Sequence, residues 1–106
     1  MATVLKTLAE FDACIQGNAK VAVDFTAAWC GPCKFIGPKF IDLIPNYPNI
    51  KFVKVDVDEN SETAEKYNVS AMPTFKFIHN QVVTDELVGA SEDGLKKRLD
   101  ALNAIA

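Results

Sequence analysis

The chain has little of several things. It carries 3 cysteines in 106 residues, an odd and unevenly spaced set that excludes a secreted disulfide framework. No apolar run approaches the roughly 18–20 residues of a membrane-spanning helix. Met1 to Ile15 lacks a basic start followed by an apolar stretch, so no signal peptide is expected and a reducing, cytoplasmic setting is. Positive charge is not in excess: the formal net charge is −3, which favours neither nucleic acid nor an anionic membrane as partner. The densest basic cluster, Lys96-Lys97-Arg98, falls in a helical pattern and reads as a solvated helix face. Repeats, low-complexity tracts and linkers are absent, so residues 1–106 are expected to form one domain. Histidine occurs once. A zinc site from Cys14, Cys30, Cys33 and His79 would lack a second closely spaced ligand pair, and no metal is expected.

What is present is an ordinary globular composition, 49% hydrophobic and 24% charged, with strong periodicity. A short Thr3-Val4-Leu5 run suits an edge strand. Thr7-Leu8-Ala9-Glu10 is a capping box, followed by an apolar stripe of Leu8, Phe11 and Ile15, with Gly17 placed to end the helix. Lys20 to Thr26 reads as a buried strand, Pro32 to Pro45 as a helix, and Lys51 to Val57 as a further strand. Asn60 or Ser61 caps a short helix to Tyr67. Thr74 to Ile78 and Val82 to Val88 form a hairpin around His79-Asn80-Gln81. Ser91 opens a last helix with Leu95, Leu99 and Leu102 at helical spacing. The order β-α-β-α-β-α-β-β-α predicts an α/β fold, a mixed sheet with helices on both faces. Its early strands are parallel and its final hairpin antiparallel.

The chemically loaded segment is Trp29-Cys30-Gly31-Pro32-Cys33, at the junction of a strand and a helix. Residues three apart share a helical face, so the two sulfurs can close a small ring. A helix N-terminus offers unpaired N–H groups and partial positive charge, which favour thiolate over thiol. The pair therefore reads as a reversible dithiol/disulfide couple. At about 100° per residue, Cys33 falls on the buried face with Ile36, Phe40, Leu43 and Ile44, while Cys30 lies about 60° outside it. Cys30 is thus expected to be the exposed, attacking thiol and Cys33 the shielded, resolving one. Pro32 suits the first helical turn and stiffens the loop; Pro38 sits inside the helix and should bend it.

Two features admit two readings each. Asp24 interrupts an apolar strand. Burial on both faces would raise its pKa and fit it to take a proton from Cys33, whereas a strand-end position would leave it in water. Lys54, embedded in the next strand, is its candidate charge partner. Met72-Pro73 opens a strand, and its peptide bond is compatible with trans or with a cis form that frees the Ala71-Met72 backbone to pair with an extended peptide. Cys14 reads as a small, semi-buried core residue.

Val23-Asp24-Phe25, Trp29-Cys30-Gly31-Pro32-Cys33-Lys34, Pro38, Lys54-Val55-Asp56-Val57-Asp58, Ala71-Met72-Pro73-Thr74 and Val88-Gly89-Ala90 together resemble the thioredoxin family, in register over essentially the whole chain. The resemblance implies the thioredoxin fold, a central five-stranded mixed β-sheet flanked by four α-helices. It implies protein-disulfide reduction without a cofactor, with Cys30 as nucleophile, Cys33 as resolving thiol, and Asp24 as a buried acid/base assisted by Lys54. It also implies a cis bond before Pro73 and a flat apolar docking surface of Trp29, Gly31, Pro32, Ala71, Met72, Pro73, Gly89 and Ala90. Implied partners are a thioredoxin reductase and disulfide-bearing targets such as peroxiredoxins and reductases, with the chain a monomer or weak dimer. Gly31-Pro32 stands where glutaredoxin-like proteins favour Pro-Tyr and isomerase domains Gly-His; the missing histidine favours a reductant. The sequence departs from many members in lacking an aromatic at Thr26 and Ala27, and Asn-Gly in the hairpin. A non-catalytic binding module is the rival reading, and it would need none of the dithiol, helix end and buried aspartate.

Overall fold

The computed structural model describes residues 2–106. In chain order the elements are β1 (Thr3–Val4), α1 (Leu8–Gly17), β2 (Lys20–Thr26), α2 (Gly31–Asp42), β3 (Lys51–Asp56), α3 (Ser61–Lys66), β4 (Thr74–His79), β5 (Val82–Val88) and α4 (Glu92–Ala104). The strands form one sheet in the order β1-β3-β2-β4-β5. β1 and β2 lie parallel to β3, β4 runs antiparallel to β2, and β5 closes the antiparallel hairpin. This is the mixed sheet that the element order predicts.

Strand alternation divides the core in two. Ala22, Phe52, Phe75 and Phe77 point to one face, where they pack with Ile36 and Phe40 of α2 and Leu95, Leu99 and Leu102 of α4. Val21, Val23, Phe25, Val53, Val55 and Ile78 point to the other, against Phe11 and Ile15 of α1. The half-buried Cys14 and Tyr67 pack against this second face, and burial raises the Cys14 thiol pKa.

Element ends follow local chemistry. Thr7 Oγ1 accepts the Glu10 N–H at 3.1 Å, while Glu10 Oε1 accepts that of Lys6 at 3.0 Å. Of the two candidate caps for α3, Asn60 is the one used: its Oδ1 accepts the Thr63 N–H at 3.3 Å, and its amide reaches Leu5 O at 3.2 Å. α2 stops at Asp42 rather than reaching Pro45. A 3₁₀ turn, Ile44–Asn46, follows, because proline disfavours continued α geometry in the residue before it. The hairpin turns on Asn80 and Gln81, both with positive φ (48° and 71°), the requirement of a two-residue type I′ connection met here without glycine.

Candidate active site

β2 and α2 converge at the redox end of the sheet. Ala27, Ala28 and Trp29 carry the chain from the end of β2 to Cys30, which is the N-cap of α2 in extended backbone (φ −88°, ψ 111°). Cys30 and Cys33 form a disulfide with their Cα atoms 5.3 Å apart. Cys30 Sγ accepts the backbone N–H of Cys33 at 3.2 Å, so a sulfur takes the place of the usual oxygen cap. Pro32 lies in the first turn, where its missing N–H leaves no partner wanting. The helix runs on through Pro38, which deprives the Lys34 carbonyl of its i+4 donor.

The helical angle predicts unequal exposure of the two thiols, and the structure corrects this. Cys30 is 4% exposed and Cys33 5%. The 100° rule does not extend to Cys30, because a cap residue lies outside the helical backbone and ring closure turns its sulfur inward. Both cysteines pack with Ala27 against Val57 and Met72.

Asp24 occupies the middle of β2 and is 1% exposed, which eliminates the solvated strand-end reading. Its Oδ1 has no hydrogen-bond partner among the described residues. Burial pushes its pKa up to about 7, against the opposing pull of the Lys54 cation. Asp24 and Lys54 are register partners on adjacent parallel strands, and they share the α2 face of the sheet with Ala22 and Phe52. Lys54 and Cys33 both line a groove of about 590 Å³ between α2 and the ends of β2 and β3, together with Lys34, Pro38, Asp42 and Asp56.

The Met72–Pro73 peptide bond is cis. Thr74 Oγ1 donates to Ala71 O at 2.6 Å, and the Gly89 N–H donates to Pro73 O at 2.9 Å, tying the loop before β4 to the loop after β5. Gly89 has a φ of +110°, a conformation that only glycine adopts without strain. Met72 reaches the disulfide cluster, while Ala90 packs against the α2–α4 core. Ala71, Gly31 and Pro32 are exposed.

Trp29 is 67% exposed, yet its indole is held: Nε1–H donates to Asp58 Oδ2 at 3.0 Å. Asp56 Oδ1 in turn accepts the N–H groups of Asp58 and Glu59 at 2.9 and 3.2 Å, fixing the turn that presents Asp58. Sequence reasoning gave Asp58 no role. Only the turn after β3 brings it beneath Trp29, and the one signal was the Asp-x-Asp spacing at a strand end. Among the described residues no group of three or more His, Cys, Asp or Glu side chains could hold a metal ion, and no helix is long and apolar enough to cross a membrane.

Comparison with known proteins places this geometry. Residues 2–101 match the family model described as Thioredoxin. A thioredoxin of Geodia cydonium is 46% identical over 102 residues, covering 93% of this chain and 96% of that one. The Plasmodium falciparum thioredoxin structure superposes with a TM-score of 0.92 at 44% identity, covering 94% of this chain and 98% of that chain. A chain from a study of thiol resolution in yeast mitochondrial 1-Cys peroxiredoxin by the glutathione and thioredoxin systems gives a TM-score of 0.91 at 40% identity, with 95% of each chain covered. With its Cys-x-x-Cys disulfide at the N-terminus of α2, the chain belongs to the thioredoxin family of disulfide oxidoreductases.

Proposed function

We propose that the chain is one cytoplasmic thioredoxin domain that reduces disulfides in target proteins and is itself re-reduced by a thioredoxin reductase. The supporting observation is the cap of α2. The N–H that meets Cys30 Sγ in the disulfide faces the same sulfur after reduction, where it stabilises a thiolate. Cys30 is therefore the attacking group. Peroxiredoxins and other disulfide-bearing reductases fit as targets, in keeping with the peroxiredoxin setting of one structural neighbour.

A target docks across Trp29, Gly31, Pro32 and Ala71 to Pro73, with Gly89 and Ala90 at the border. Met72 lies just outside β4 and contributes its backbone to an extended partner strand. The Cys30 thiolate attacks one target sulfur, forming a mixed disulfide and releasing the other target sulfur as thiolate. Cys33 then loses its proton to Asp24, relayed by water. The Cys33 sulfur attacks Cys30, the target leaves as a dithiol, and the protein is left oxidised. An Asp24 pKa near 7 suits a proton acceptor working near neutral pH. Lys54 stabilises the carboxylate formed in the resting site.

Trapping tests the assignment. Reduced Cys33→Ser should accumulate a mixed disulfide with a target, seen as a band that reductant dissolves. Cys30→Ser should accumulate none. Equal trapping by both variants would overturn the roles given to the two sulfurs.

A further inference from the structure

Phe35 is a second large apolar side chain left in water at the redox end, 57% exposed, and the docking surface described above leaves it unused. It lies four residues after Gly31 in α2, so the two share one face of the helix about 6 Å apart along its axis. A Cβ placed on Gly31 would meet no atom within 4 Å, so the surface at Gly31 is open. The ring is also held in place. Lys39 sets its ammonium 5.0 Å from the ring centre and reaches Glu92 Oε1 at 3.8 Å. Glu92 opens α4 two residues after Ala90. The aromatic thus stands between the docking surface and a charged pair bridging α2 and α4.

We infer that Phe35 determines specificity at this redox site by receiving an apolar side chain of the target, two residues from the attacked half-cystine. The inference rests on the docking reading given above. An extended strand advances about 3.3 Å per residue and turns every second side chain to the same face. With the target strand laid along α2, the side chain two residues from a cysteine facing Cys30 lies about 7 Å further on, level with Phe35, which stands five helical residues after Cys30. Lys34 and Lys39 flank the ring in sequence, so an aliphatic or aromatic occupant is accepted where a basic one is repelled.

The test uses two symmetric peptide disulfides that differ only at the positions two residues either side of the cysteine, Leu in one and Ser in the other. Reduced protein and peptide dimer exchange two electrons, giving oxidised protein and two peptide thiols. The rate is read as loss of protein thiols by alkylation and mass. The wild type should favour the Leu peptide about tenfold, an ordinary increment for filling an apolar subsite. Phe35→Ala should bring that ratio to about one, and Phe35→Leu should retain most of it. An undiminished preference in Phe35→Ala, or no preference in a wild type that both peptides oxidise, would overturn the inference. If the wild type is oxidised by neither peptide nor by hydroxyethyl disulfide, the redox reading itself fails and takes the inference with it.

Discussion

β2 and β4 are neighbours at the centre of the sheet, and each carries one buried charged residue among apolar neighbours. The two are handled differently. Lys76 of β4 is 9% exposed and pairs with Glu86 directly opposite it on β5. Asp24 of β2 is 1% exposed and faces Phe75 on one neighbouring strand and Lys54 on the other, with its Oδ1 unpartnered. Lys76 shares the α1 face with Ile78, and Asp24 shares the α2 face with Ala22. A sheet tolerates a buried charge when a partner satisfies it. The one left unsatisfied sits on the face where α2 packs, and the proton transfer proposed for Asp24 would account for its energetic penalty.

The difference can be broken from either side. The largest effect is expected at Asp24. Its pKa rises from 3.8 in the unfolded reference to about 7 in the fold, so the folded state holds the proton more tightly. Below the lower value both states are protonated and nothing is lost. As pH climbs from about 4 towards 7 the unfolded chain ionises while the fold keeps its proton, so stability falls, levelling off once the buried carboxylate forms. Asp24→Asn should therefore be near neutral at pH 4 and stabilise by about 3–4 kcal/mol at pH 8, measured by denaturant unfolding at both pH values. A pH-independent effect would place the carboxyl in an ordinary environment.

At Lys76 the sign reverses. Glu86→Ala strands a nearly buried ammonium and should cost about 1–2 kcal/mol, the lower end being set by the half-exposed Glu86 side chain. Lys76→Met, which removes the charge and keeps the stem, should cost less. If Glu86→Ala is silent, the pair does not neutralise Lys76. The smallest change is expected at Lys54. Lys54→Met removes the cation that opposes the burial of Asp24, and should lower stability by a further ~0.5–1 kcal/mol at pH 8 with little change at pH 4. The same loss at both pH values would show that Lys54 acts through packing alone.

Much of this was legible in the sequence, for identifiable reasons. Alternating strands, a capping box at Thr7 and leucines at helical spacing are local signals, and they gave the element order and with it the mixed sheet. The redox pair was legible because Cys30-Gly31-Pro32-Cys33 is contiguous. Asp24 was only half legible: an acid in a strand shows in sequence, but its depth depends on β3, β4 and α2 closing over it. The exposure of Cys30 was misread because a helical wheel has no authority over a cap. Asp58 beneath Trp29, and Phe35 beside Gly31 with Lys39 and Glu92 behind it, depend on turns and helix contacts that no single segment encodes.

The most direct measurement is the rate at which the mixed disulfide on Cys30 resolves, followed against pH by rapid mixing for the wild type and for Asp24→Asn. The account requires a wild-type rate that rises with a midpoint near 7, the pKa of Asp24, and an Asp24→Asn rate that is slower and lacks that midpoint. An Asp24→Asn protein that resolves at the wild-type rate with the same midpoint would contradict it.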